Sequence, residues 1–327
     1  MKKILPYILL TAYSCLISSC TYQFDLDEVD ATPKLVAYCY PGSRDTTVVR
    51  LYRSLPINEK GNISSGLKGD EAHLTVNGEA VSLIWTDDSI PSVPPRSYYA
   101  VRKYESGDNI LLTAKVHGMK PVSATTVIPP TVPIESINLV SKEGETKELQ
   151  FQIRFKDKAQ TKDFYALKIE QKDMYWENGE YSEYHSSLEL NLDYEPLLKL
   201  SSGLNDILMI DDEFYQNLYY WNDTTIEGKS YTLHLNTSRQ LDYEDDFTTP
   251  DGNVHTKRQV KYRISLYSLS EEFYSYLKSL NEQKNNSLGK AELSPIRPTY
   301  TNVVNGLGVV GGCRISQTGW IDNLQND

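Results

Sequence analysis

Residues 74–83 read LTVNGEAVSL, and apolar side chains alternate with polar ones on either side of Asn77-Gly78. Asn-Gly supplies the two positive φ angles of a tight hairpin turn, and period-two alternation marks strands with one buried face. The same texture runs outward from it. KLVAYCY (34–40), TTVVRLYRSL (46–55), AHLTVNG (72–78), AVSLIW (80–85), SYYAVRKY (97–104), NILLTAKVHG (109–118) and VSATTVI (122–128) are short β-rich runs separated by Pro-Gly, Asn-Gly and Ser-Gly signals. Seven runs at this spacing predict an immunoglobulin-like β-sandwich over residues 33–128.

IPPTVPIESI (128–137) then interrupts the pattern with three prolines, which remove backbone donors and stiffen the chain. A linker over 129–135 follows, and a larger β-rich domain over 136–327. Its expected strands are KELQFQIRF (147–155), DFYALKIEQ (163–171), SLELNL (187–192), SYTLHLN (230–236) and KYRISLYSL (261–269). One prominent helix is expected near 270–284. Ser270 stands where an N-cap belongs, Glu271 and Glu272 suit the positive helix end, and Phe273, Leu277 and Leu280 recur on one face with Tyr276 beside them. The fold class is mainly β.

At the other end, Lys2 and Lys3 precede an apolar stretch, Ile4–Ile17, that is shorter than the about 20 residues a membrane span needs. Residues 1–19 read as a signal peptide. Ile17-Ser18-Ser19-Cys20 resembles the lipobox of bacterial lipoproteins, which makes Cys20 the expected lipidation site; several acyl chains anchor firmly, at about 0.8 kcal/mol per buried methylene. Residues 20–32 form an acidic tether carrying Asp25, Asp27, Glu28 and Asp30, similar to the stretch that follows the lipid-bearing cysteine in surface-displayed lipoproteins. The expected location is the outer membrane, lipid-anchored and facing the exterior.

Removal of residues 1–19 takes two of the 33 Lys and Arg and none of the 44 acidic residues, which leaves a formal charge of −13. Such a chain is a poor match for phosphate backbones, so nucleic acid is set aside. Cys39 and Cys313 are the cysteines that remain once Cys20 is acylated; they could pair in an oxidising compartment, and we read them as two small buried thiols.

Signals for catalysis are weak. His73, His117, His185, His234 and His255 show no metal-like spacing, so no metal and no cofactor are expected. NGLGVVGG (305–312) lacks the Lys-Ser/Thr and the helix of a phosphate loop, and its glycines suit a close backbone approach. Acid clusters at Asp211, Asp212 and Glu213 and at Asp242, Glu244, Asp245 and Asp246 read as solvated loops; a glycosidase pair or a calcium loop among them are the alternatives. Aromatic clusters say more. MYWENGEYSEYH (174–185) and EFYQNLYYWNDTT (213–225) mix Tyr and Trp with hydrogen-bonding neighbours, which suits sugar stacking or a protein interface. Tyr175, Trp176, Tyr181, Tyr184, Tyr219, Tyr220 and Trp221 are the contact candidates, against the alternative that Phe214, Leu218 and Trp221 form one buried helical stripe.

Taken in order, FDLDEVDATPKLVAYCY, VVRLYRSLPI, GDNILLTAKVHG, SATTVIPPTVPIESI, IEGKSYTLHL, LYSLSEEFYSYLKSLN and NVVNGLGVVGGCRIS resemble the Bacteroidota lipoproteins grouped as domain of unknown function 4249 (DUF4249). The resemblance runs from the tether to about residue 316, with residues 173–227 matching only loosely. It implies an accessory lipoprotein beside a TonB-dependent outer-membrane transporter, with no established catalytic residues. The expected function is therefore non-enzymatic capture, or a lid, in nutrient uptake, with a glycan or a peptide as ligand. A structural or adhesive envelope protein and a glycan- or peptide-cleaving enzyme are the alternatives.

Overall fold

The computed structural model describes residues 32–55, 66–142, 148–198, 217–249, 252–284 and 298–324. The expected signal peptide, Cys20, nearly all of the acidic tether, Asp211, Asp212, Glu213 and Phe214 lie outside them. Contacts divide the chain into Met1–Pro33 with Leu55–Gly61, and a main body of Lys34–Ser54 with Asn62–Asp327.

In chain order the strands are β1 (Leu35–Cys39), β2 (Thr46–Arg53), β3 (Glu71–Val76), β4 (Glu79–Val81), β5 (Ile84–Thr86), β6 (Ser97–Val101), β7 (Asn109–Lys115) and β8 (Val122–Val127). After the proline-rich junction come β9 (Ile134–Lys142), β10 (Glu148–Lys156), β11 (Phe164–Glu177), β12 (Glu180–Ser187), β13 (Tyr219–Asn222), β14 (Ser230–Ser238), β15 (Tyr243–Thr249) and β16 (Gly252–Leu269). Helix α1 (Glu271–Lys284) precedes β17 (Leu307–Val310), β18 (Cys313–Gln317) and β19 (Ile321–Asp322). The protein is mainly β with one helix among the described residues.

Two sheets, β17-β1-β2-β6-β5 and β4-β3-β7-β8, face each other across a core that includes Leu35, Val49, Leu51, Leu74, Ile110 and Leu112. Asn77 and Gly78, at φ 53° and 84°, turn β3 into β4 as the sequence requires. The run AVSLIW does not stay one strand. It breaks at Ser82-Leu83, so that β4 pairs with β3 in one sheet and β5 pairs with β6 in the other. One segment thus supplies both layers, and its apolar residues served a sheet crossing that period-two reading takes for continuity.

A second core lies between β14-β10-β9 and the large sheet β12-β11-β16-β15, which β13, β18 and β19 extend. Phe151, Ile153 and Phe155 of β10 meet Tyr165, Leu167 and Ile169 of β11 there, with the Phe151 and Tyr262 rings edge to face at 5.1 Å. The expected strand 187–192 is absent: Asn191 makes an isolated bridge to Asn236, and Leu190, its amide donating to Tyr219 Oη at 2.8 Å, plugs the core instead of extending a ladder.

A third core explains why β1 is apolar on both sides. Leu35, Ala37 and Cys39 point into the sandwich, whereas Tyr38 points outward to α1. Phe273, Tyr276, Leu277 and Leu280 of α1 are buried between the sandwich's Tyr38, Tyr52 and Val309 and the large sheet's Phe164, Ala166, Tyr220 and Tyr267. The helix thus packs between two sheets. Ser270 caps it: Ser270 Oγ accepts from the Phe273 amide at 3.3 Å and lies 3.0 Å from Thr126 Oγ1 of β8.

The chain then returns to the sandwich. β17, part of NGLGVVGG, adds to β1 in parallel, with Ala37 opposite Gly308. The sandwich therefore draws one strand from beyond the helix, and residues 33–128 do not complete it. Glycine is required here because a Cβ on Gly308, at φ +94°, would lie 2.2 Å from Ala37 O, and one on Gly311 would meet the Phe273 ring at 2.8 Å. Arg314 then fastens the proline-rich junction, donating to Thr131 Oγ1 at 3.0 Å and to Tyr104 O at 2.6 Å.

Candidate functional site

β11 and β16 outrun the core that they cover. Side chains of β11 are fully buried as far as Ile169, and from Glu170 the strand continues into more open surroundings. There it turns at Asn178-Gly179, φ 49° and 86°, into β12, the same tight-turn chemistry as Asn77-Gly78. ENGE lies inside the aromatic cluster MYWENGEYSEYH, and its Asn-Gly is the hairpin signal in that stretch. The outcome is a four-stranded projection, β12-β11-β16-β15, in which every residue of β12 from Glu180 to Ser186 is exposed.

Strand alternation sorts the projection into two faces. On one, Tyr175 pairs with Ser182 and Arg258, Asp173 with Tyr184, and Tyr243 with Arg258. Arg258 donates to Asp173 through Nε at 3.1 Å and Nη2 at 2.5 Å, and its guanidinium lies 5.6 Å from the centre of the Tyr175 ring. Tyr184 meets Tyr175 edge to face at 5.9 Å and is 63% exposed; Tyr243 is 43% exposed. Glu177, Glu180 and Asp245 border this tyrosine face, all three exposed, and among the described residues no ion pair or side-chain hydrogen bond engages their carboxylates.

The opposite face is internally satisfied. Glu183 accepts from Tyr181 Oη and lies 3.2 Å from His185 Nε2, and Tyr181 foremost, then His185, hold its carboxyl below the ordinary range. Lys257 pairs with Glu244 at 2.9 Å and His255 Nδ1 lies 2.8 Å from Asp246. Trp320, from the C-terminal segment, is covered by Arg263 at 4.6 Å and Lys172 at 4.7 Å. Trp176 and Tyr181 pack against each other on this face at 5.3 Å, with Tyr181 52% exposed.

The second aromatic cluster is not a surface. Tyr219, Tyr220 and Trp221 form β13 and are 2%, 5% and 3% exposed, so they are withdrawn as contact candidates. They are buried in a strand, not in a helical stripe: β13 pairs with β11, Tyr219 and Trp221 enter the second core, and Tyr220 enters the third. A strand flanked by a helix on one side and a sheet on the other needs apolar bulk at consecutive positions, which reads in sequence as a cluster.

One chemical grouping went unread in the sequence. Asp157, Asp163 and Asp223 bring carboxylate oxygens within 4.8 Å of one another, a donor type that suits a hard cation. Much of their capacity is already filled by protein donors: Tyr165 Oη and the Gly228 amide on Asp157, the Thr161 hydroxyl on Asp163, and the Asp163 amide on Asp223 at 2.7 Å. Burial, with Asp157 and Asp223 nearby, raises the Asp163 carboxyl above its ordinary value. These contacts stitch the β10–β11 connection to the one after β13, and the residues lie too far apart in sequence to signal it.

Cys39 and Cys313 are free and fully buried, and burial pushes the Cys313 thiol up to about 12 and the Cys39 thiol still higher. No helix among the described residues is long and apolar enough to cross a membrane.

A family model described as domain of unknown function (DUF4249) matches residues 21–318. The chain belongs to the DUF4249 family. The match spans the sandwich, both sheets of the larger region, α1 and β18, so the projecting sheet is part of this DUF4249 protein's family region and not an appendage. No curated protein matches the chain.

Proposed function

We propose that this DUF4249 protein is a lipid-anchored, surface-exposed outer-membrane protein of Bacteroidota type, a non-enzymatic capture or lid component of a TonB-dependent nutrient uptake complex. The export segment ahead of Cys20 and the acidic tether support the location. The observation that carries the capture role is β12, eight residues with one side unpaired among the described strands and Tyr181 and Tyr184 more than half exposed. Rigid aromatic side chains held on a sheet lose little entropy on binding, which suits a docking element. The order β1-β2-β6-β5 facing β4-β3-β7-β8 supports the immunoglobulin-like reading of the sandwich, a rigid mount for such an element. The hydrogen bonds that occupy the three-aspartate cluster favour a structural use of those acids over hydrolysis.

A mild-detergent pull-down of the chain, tagged at its C-terminus, from native membranes tests this reading. Recovery of one stoichiometric TonB-dependent barrel is expected. Recovery of none, with matrix or envelope proteins retained, would favour the adhesive alternative.

A further inference from the structure

We infer that the tyrosine face of the projecting sheet, with the open edge of β12, docks an extended protein segment rich in lysine or arginine. The face carries four carboxylates, Asp173, Glu177, Glu180 and Asp245, and one arginine, Arg258. Arg258 is spent on Asp173, which leaves the other three carboxylates exposed and without described partners. The three share one cross-strand row, and in the next two rows of the same face stand Tyr243 and Tyr184, whose rings offer negative π faces to a cation. The opposite face, by contrast, carries its own cations against its own acids, so it has no comparable charge to offer a partner.

The backbone adds a second mode of recognition. Among the described strands β12 ends the sheet order, and an extended segment laid along it would continue the ladder with its side chains falling alternately on the two faces. Lysines at every second position of that segment would all lie beside Glu180, Ser182 and Tyr184. A neutral sugar fits less well. The Tyr175 ring is already taken by Arg258 at 5.6 Å and by Tyr184 edge-on at 5.9 Å, and sugar stacking gives the three carboxylates nothing to pair with. Acidic polymers are repelled by the same groups.

The inference rests on the non-enzymatic binding role proposed above and names the chemistry of the segment engaged. The test uses the full mature chain in mild detergent and an alternating Lys-Thr peptide as long as β12, eight residues, read by fluorescence anisotropy. A matched Glu-Thr peptide and a neutral oligosaccharide serve as the other probes. Saturable binding of the Lys-Thr peptide alone is expected, weakened by salt. It should fall several-fold in the Glu177→Gln/Glu180→Gln/Asp245→Asn variant, mostly through Glu180 and Glu177, which lie one and two strands from the docked segment. Glu183→Gln, on the opposite face, should leave it unchanged, and the thermal midpoint of each variant reports that the fold is intact. Binding that ignores the triple substitution, or that prefers the Glu-Thr peptide or the oligosaccharide, overturns the inference even where the membrane pull-down yields a barrel. Loss confined to the triple variant supports it even where the pull-down yields none.

Discussion

Replacing Gly308 with alanine should separate β17 from β1, and Gly78→Ala provides the control that isolates why. Both glycines have positive φ, +94° and +84°, so alanine pays the left-handed backbone penalty of about 1–2 kcal/mol at either site, partly offset because alanine also restricts the unfolded chain. At Gly78 nothing lies within 4 Å of the new Cβ, and the net loss should be about 1 kcal/mol. At Gly308 the Cβ would sit 2.2 Å from Ala37 O, more than 1 Å inside ordinary contact, and 2.9 Å from Ala37 C. Backbone cannot give way as a side chain can, so the parallel ladder from Val36–Leu307 to Cys39–Val310 must open. That ladder also holds Val310 in the sandwich core and Val309 against α1, both fully buried. Adding weakened ladder bonds at about 1 kcal/mol each to the backbone term gives a loss of about 3–5 kcal/mol. Urea unfolding followed by tryptophan fluorescence, with m compared between variants, measures the difference. A Gly308→Ala loss within about 1 kcal/mol of the Gly78→Ala loss would refute the assignment of NGLGVVGG to a close strand approach.

Ser270→Ala should destabilise by about 1 kcal/mol in the same assay, because the Phe273 amide loses its cap and Thr126 loses a partner. Phe273→Ala should remove about 3–5 kcal/mol, since that fully buried ring stacks on Tyr40 at 4.8 Å between two sheets. Cys39 and Cys313 should resist a thiol reagent at neutral pH and react only on unfolding, because burial keeps both protonated; labelling of the native chain at the rate of a free thiol would contradict their placement. Asp163→Asn should raise the urea midpoint at neutral pH. The folded Asp163 carboxyl titrates above its unfolded value, so its contribution is full below the unfolded pKa and is lost as pH rises through the folded one, a loss that asparagine avoids. The gain should vanish in acid, and a lower midpoint at neutral pH would contradict it.

Much of the sandwich was legible because its signals are local. Asn77-Gly78 forces a hairpin whatever surrounds it, and alternation over β7 and β8 reports one buried face without reference to any other segment. The helix was equally plain, since Ser270, the two glutamates and the apolar spacing all act within four turns. What could not be read was set by distant partners. AVSLIW has no internal reason to break, and only the positions of β3 and β6 in opposing sheets divide it. Likewise the glycines of NGLGVVGG announce closeness without saying to what. Their partner, β1, lies some 270 residues earlier.

The site divided along the same line. Tyrosine and tryptophan are equally at home in a core and on a binding surface, so composition alone could not separate MYWENGEYSEYH from LYYW. The difference lies in what borders them. After the turn at Asn178-Gly179, residues 180–186 intersperse two tyrosines with glutamate, serine and histidine and include no aliphatic side chain, so neither face of that strand can join a core. LYYW has no charged, amide or small hydroxyl side chain, and a strand built so is covered on both faces, as Tyr219, Tyr220 and Trp221 are. Counting polar residues between aromatics, and not aromatics, would have told the surface from the interior. The unpaired charge of Glu177, Glu180 and Asp245 was beyond that rule, because it depends on Arg258 having been drawn to Asp173 across the strand register.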